Sequence, residues 1–234
     1  MNTGRLLVAA AALSTFARGQ STPAPGRLTP IPLDASTRFT LVNTRLEWVN
    51  HAGRRALRLA PPVGHERDTD EEMIAVLTNT DFENGVIEVD VSGARRAGYA
   101  GDNAAAHKGH IGVSFRQRAD SSERFYVRPE NSILDDQVFR NRSLQYESDP
   151  SFPFPRLRQE SPGAYEAYAA MRPGAWTRLR IDVDGTKARL FVNGAAEPSL
   201  IVNDLKNGVS RGRIALWARI STDAYFSNLR VEKR

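Results

Sequence analysis

Thr177–Gly194 reads TRLRIDVDGTKARLFVNG, and this stretch decides the fold class. Leu179, Ile181 and Val183 alternate with Arg178, Arg180 and Asp182, the period of a strand with one buried face. Ala188, Leu190 and Val192 alternate back in the same way. Asp184-Gly185 between them predicts a type I′ hairpin turn, with positive φ at both residues, and Asn193-Gly194 predicts the next turn.

Working outward, the same alternation recurs. Ile87, Val89 and Val91 oppose Glu88 and Asp90; Ile111, Val113 and Phe115 oppose Ser114, Arg116 and Arg118. Phe125 and Val127 oppose Arg124, Tyr126 and Arg128; Ile214, Leu216, Ala218 and Ile220 oppose Trp217 and Arg219. In AYFSNLRV a bulge near Ser227-Asn228 is needed if Phe226, Leu229 and Val231 are all to reach the core. No sustained helical period appears after residue 33, so the chain reads as all-β, a sandwich or barrel.

The 234 residues suit one large β domain, and 41% hydrophobic content allows a core without staples. There is no Cys, so disulfides and a lipoprotein attachment site are both excluded. Leu6–Phe16 is a short apolar run after Arg5, with Ala17 and Gly19 in the −3 and −1 places of a cleavage site. Residues 1–19 therefore read as a signal peptide, 20–33 as an extended Pro-rich leader, and 34–234 as the domain. A run that short does not span a bilayer, so the expected location is secreted or periplasmic, without membrane insertion after cleavage. Formal charge is +5, falling to +3 once Arg5 and Arg18 leave with the signal peptide. Acids are interspersed among the Arg residues, which speaks against a nucleic-acid partner.

The polar faces of these strands carry Tyr126, Trp176 and Trp217 beside Arg116, Arg128, Arg219, Glu88 and Asp90. Aromatic planes next to hydrogen-bonding forks suit a ligand with apolar C–H surfaces and many hydroxyls, which is a sugar; they equally suit structural cover over the second face of a sheet.

Taken in order, FENGVIEVDV, IGVSFR, FYVRP, DGTKARLFVNG, GRIALW and TDAYFSNLRV resemble the concanavalin A-like lectin/glucanase domains over about residues 72–232. The similarity is nearest to the laminin-G-like and 3-keto-disaccharide hydrolase-like bacterial branch. It implies a two-sheet antiparallel jelly-roll β-sandwich whose concave sheet often binds carbohydrate. It also raises calcium, which related lectin folds often hold, although Asp135-Asp136 and Asp182/Asp184 match no calcium-loop spacing.

Glucanases of this superfamily place two Glu and an Asp on one strand in a Glu-x-Asp-x-(x)-Glu pattern. Glu88-Val89-Asp90-Val91-Ser92-Gly93 lacks the second Glu, so that catalytic pattern is absent there. His107 and His110 lie three apart in a Gly/Ala-rich region with no third ligand indicated, and neither a metal nor another cofactor is assigned. Asn141-Arg142-Ser143 forms a glycosylation sequon.

Tyr126–Tyr146, YVRPENSILDDQVFRNRSLQY, has no cleanly apolar set of alternate residues over 137–146 and is dense in directed hydrogen-bonding groups. With the Pro-rich segment that follows, it reads as a site wall under an overhanging loop. The expected ligand-binding residues are Arg116, Tyr126, Arg128, Asn141, Gln145 and Trp217, with the Arg, Asn and Gln bonding hydroxyls and the two aromatics stacking. No catalytic residue is assigned; a glycoside-processing enzyme would draw on Asp135, Asp136 or Glu147. A protein-interaction module is the remaining alternative.

Overall fold

The computed structural model describes Met1 and residues 26–66, 71–98 and 108–234. The signal-peptide segment and His107 lie outside the described residues, as does the leader up to residue 25.

Two antiparallel sheets pack face to face. The first runs β13 (Leu200–Val202), β12 (Lys187–Val192), β11 (Thr177–Asp184), β6 (Gly85–Arg95), β15 (Thr222–Lys233), β4 (Arg54–Ala60), β3 (Arg45–His51), with β1 (Thr29–Pro30) also paired to β15. The second runs β10 (Glu166–Ala167), β9 (Leu144–Asp149), β8 (Ser122–Val127), β7 (Ile111–Gln117), β14 (Arg213–Arg219), β5 (Glu72–Leu77), β2 (Phe39–Val42). Three short helices, α1 (Pro129–Ser132), α2 (Gln137–Arg140) and α3 (Phe154–Glu160), all lie in the connections around β8, β9 and β10.

Between the sheets lie the alternating apolar residues read from the sequence. Ile87, Val89, Leu179, Ile181, Leu190 and Phe226 come from the first sheet, and Ile111, Val113, Phe125 and Leu216 from the second. All are buried, and their removal from water is the main drive to fold. The jelly-roll sandwich expected from the sequence is the fold found.

The turns differ in detail from the expectation. Asp184 pairs with Lys187, so the two-residue loop is Gly185-Thr186, with positive φ at Gly185 alone, the pattern of a II′ turn. Asn193-Gly194 carries positive φ at both residues, 53° and 75°. The bulge in β15 falls where required: the register with β6 shifts between Ser227 and Arg230, and Asn228 takes φ 53°.

Residues 29–33 are part of the sandwich. Thr29 and Pro30 pair with Val231 and Arg230, and Ile31 and Leu33 pack on the core. The sequence around 137–146 failed to alternate because 137–140 is a helical turn, capped where Asp136 Oδ1 accepts from Phe139 N–H at 3.0 Å.

Candidate functional site

The outer face of the second sheet is built by alternation. Gln145, Glu147 and Asp149 project from β9, Arg124 and Tyr126 from β8, Ser114 from β7, Trp217 from β14 and Glu72 from β5. Pairing brings them into rows, since Tyr126 lies opposite Gln145 and Gly112, and Gly112 opposite Trp217. Gly112 is required at this crossing, because a Cβ there would sit 2.1 Å from the Phe125 carbonyl oxygen.

Arg124 is the hub, 1% exposed, and all of its N–H groups are used. Nε donates to Ser114 Oγ at 3.0 Å; Nη1 donates to Glu72 Oε1 at 2.9 Å and Glu147 Oε1 at 2.7 Å. Nη2 donates to Glu72 Oε2 at 3.1 Å and to Asp149 Oδ2. The guanidinium lies 4.4 Å from the centroid of the Trp217 ring, a desolvated cation–π contact. Burial works against the Arg124 charge, but Glu72, Glu147 and Asp149 together outweigh it and raise its pKa.

The three carboxylates differ. Burial pushes Glu147 above the ordinary carboxylate range against the pull of Arg124, and burial likewise raises Asp149. The Glu72 and Asp149 side chains are about a third exposed, at 32% and 33%, whereas Glu147 is 7% exposed. Among the described residues none of the hydrogen bonds to Asp149 uses its Oδ1. Trp217 is 1% exposed, and its indole Nε1–H has no hydrogen-bond partner among the described residues. The open part of the face is therefore acidic, with an uncommitted acceptor, while the unpartnered indole N–H lies buried beneath it.

Four of the six expected binding residues come together here. Arg128 Nη2 donates to Tyr126 Oη at 2.7 Å and both its terminal nitrogens donate to Gln145 Oε1 at 3.2 Å, while Tyr126 and Trp217 rings lie 4.8 Å apart. Their setting differs from an open groove. All four are buried, and α3 covers the β9 side: Phe154 stands 5.2 Å over the Arg128 guanidinium and donates its backbone N–H to Glu147 Oε2. The Pro-rich segment does overhang the face, and it closes the half that the aromatic and Arg residues occupy.

The other two expected residues lie elsewhere. Arg116 takes φ 51° where the β7–β14 register shifts, which turns it off the face toward one end of the sandwich. There it donates to the carbonyls of Glu83, Gly185 and Gly208 and to Asn84 Oδ1, pinning three connections together. Asn141 is exposed behind α2, beside a separate depression of about 380 Å³ lined by Arg142, Arg158, Glu166 and Tyr168. Asp136 is spent as a helix cap, and Trp176 belongs to the opposite side, where it meets the His51 ring edge-on at 5.5 Å.

The residues that the sequence reading missed are Glu72, Arg124 and Asp149. Gln145-x-Glu147-x-Asp149 is itself an alternating polar set, and it was the available signal. His110 is buried and accepts from Arg128 Nε at 3.1 Å. Among the described residues no His, Asp and Glu group is arranged to hold a metal; here the carboxylates converge on a guanidinium, which takes a cation's place.

Two antiparallel sheets with a polar, aromatic-floored outer face define a concanavalin A-like domain. Residues 53–232 match the 3-keto-alpha-glucoside-1,2-lyase-like domain, and the chain belongs to that family. Among solved structures it is similar to the carbohydrate-binding module CBM66 from Bacillus subtilis, with 14% identity and a TM-score of 0.53 over 83% of this chain and 95% of that one. It is also similar to a Bacillus subtilis protein of unknown function with a galectin-like fold, with 11% identity and a TM-score of 0.53 over 85% and 91% of the two chains. Among curated proteins none matches this chain.

Proposed function

We propose that this chain is an exported protein that binds a neutral carbohydrate over the open, acidic half of the second sheet's outer face. The observation that carries the reading is the cluster of Glu72, Glu147 and Asp149 around Arg124, with Glu72 and Asp149 each about a third exposed. Carboxylates accept strong hydrogen bonds from hydroxyls, and Asp149 Oδ1 is uncommitted. The exposed members of the cluster, Glu72 and Asp149, are both carboxylates, so a uronic acid or sulfated sugar meets like charge there. Tyr126, Arg128 and Gln145 act from beneath, as the floor that holds Arg124 and Trp217 in place. The likeness to the carbohydrate-binding module CBM66 and membership of the 3-keto-alpha-glucoside-1,2-lyase-like family support the same class of ligand. Export rests on Leu6–Phe16 and the Ala17/Gly19 cleavage pattern. A glycan array probed with the full chain tests the reading: neutral glycans should bind and Asp149→Asn should lose them. Capture of sulfated or uronic glycans alone would contradict it.

A second reading is favoured by the raised carboxyls of Glu147 and Asp149. Scission of a 3-keto-alpha-glucoside at its 1,2 positions removes the C2 proton, which the neighbouring ketone acidifies, and protonates the oxygen leaving C1. Glu72 would take the C2 proton and Asp149, whose carboxyl burial raises above its ordinary range, would supply the other. Release of the aglycone from a chromogenic 3-keto-α-glucoside, abolished in Glu72→Gln, tests this; no release by wild type that binds the same sugar excludes it.

A further inference from the structure

The first sheet is forked, and the fork is a cleft. Only the first half of β15 pairs with β4, through Ala224, Tyr225 and Phe226. At the Ser227-Asn228 bulge β15 turns away, and its next free edge pairs with β1 instead. The tail of β4, Arg54–Ala56, is left paired with β3 alone, latched back where Ser227 Oγ donates to the Arg55 carbonyl at 3.0 Å. The opening between β4 and β1 has a volume of about 910 Å³, with the bulge at its base and Pro30–Asp34 as one wall. That is at the upper end of the range of small-molecule sites.

The lining sets the class of ligand. Trp48 is 49% exposed and offers an indole plane that no other ring among the described residues covers. Arg54 pairs with Asp90 at 2.7 Å, which Arg178 shares at 3.2 Å, and Arg230 pairs with Glu88 at 2.9 Å, so both lining guanidiniums already hold a carboxylate. Arg55 makes no ion pair among the described residues, but its charge bears on Asp34 across the cleft. Asn50 and Asn228 Oδ1 have no hydrogen-bond partner there either, and both face the same space. A wall of amides, carboxylate-paired guanidiniums, Arg55 and Asp34 beside an open indole matches a polar ligand with apolar C–H faces. A phosphate or sulfate would require uncompensated cations, and an apolar ligand would leave these groups unpaired.

We infer that the β4–β1 fork is a second carbohydrate site, taking a neutral oligosaccharide that stacks on Trp48 and hydrogen-bonds Arg55, Asn50 and Asn228. It stands on the opposite sheet from the acidic cluster and does not depend on it.

The test is the indole N–H spectrum of the ¹⁵N-labelled full chain, which has three Trp. Trp48→Phe assigns the Trp48 resonance. The probes are linear gluco-, manno- and fructo-oligosaccharides, inorganic phosphate and a Pro-rich peptide. A neutral oligosaccharide should move the Trp48 signal in wild type and equally in Asp149→Asn, and Arg55→Gln should weaken that binding about tenfold, the loss of one good polar contact. The inference is overturned if no oligosaccharide moves the Trp48 signal, if phosphate or the peptide moves it instead, or if the shift disappears in Asp149→Asn.

Discussion

Replacing Arg124 by Leu removes the one cation that three carboxylates share. Glu72 and Asp149, each about a third exposed, then turn to water, whereas Glu147 is 7% exposed and cannot. Ser114 Oγ, wholly buried, loses its partner as well. Breaking a buried pair from one side costs about 3–5 kcal/mol. At about 2–4 °C per kcal/mol for a chain of this size, Tm falls by roughly 10 °C. The loss also depends on pH. Burial already holds the Glu147 carboxyl above its ordinary range, and without Arg124 the main opposition to that rise is gone, leaving the charge of Arg128 and the Phe154 N–H. An acid whose folded pKa is raised stabilises the fold below its unfolded pKa, and that contribution is lost as pH rises through the folded value. The penalty is therefore larger at neutral pH and shrinks in acid, as Glu147 protonates. Urea unfolding of wild type and variant at neutral and acid pH measures it, and Glu147→Leu in the Arg124→Leu background should recover much of the loss. A penalty below about 1 kcal/mol at neutral pH, or one equal at the two pH values, refutes the reasoning.

Arg116→Met should cost about 2–4 kcal/mol, read by urea unfolding, because four acceptors lose their buried donor; carbohydrate binding by the folded variant should be unchanged. Asp149→Asn should leave Tm within a few degrees of wild type, since it removes one of three like charges, yet reduce binding in calorimetry at least about tenfold. Gly112→Ala should destabilise by about 1–3 kcal/mol in thermal melts, because its Cβ is driven into the β8 backbone. Asp136→Ala should cost about 1 kcal/mol through loss of the α2 cap, with no effect on binding.

The sandwich was legible because each strand gives one apolar face to a shared core, so Leu179, Ile181 and Val183 announce their orientation without knowledge of their neighbours. The bulge at Ser227-Asn228 was legible for the same reason, since Phe226 and Leu229 can both be buried only if one residue is skipped. Arg116 was misplaced because alternation fails at a bulge, and nothing in IGVSFRQ marks the positive φ that turns it away. Glu72 and Arg124 were missed because they meet across β5 and β8, which β7 and β14 separate in the sheet, and no local pattern reports a contact across strands. The cover over Tyr126 and Arg128 depends on where α3 lands, which is a tertiary fact. Residues 29–33 looked like a leader because a two-residue strand carries too few side chains to show a period.

The central claim is that the acidic half of the second sheet's outer face is where a neutral sugar binds. A crystal structure of the full chain soaked with a neutral oligosaccharide tests it most directly. The account predicts sugar hydroxyls within hydrogen-bonding distance of Asp149 Oδ1 and Glu72, with Arg124 still holding the three carboxylates. Sugar bound only on other surfaces, with this cluster unchanged and bare, would contradict it.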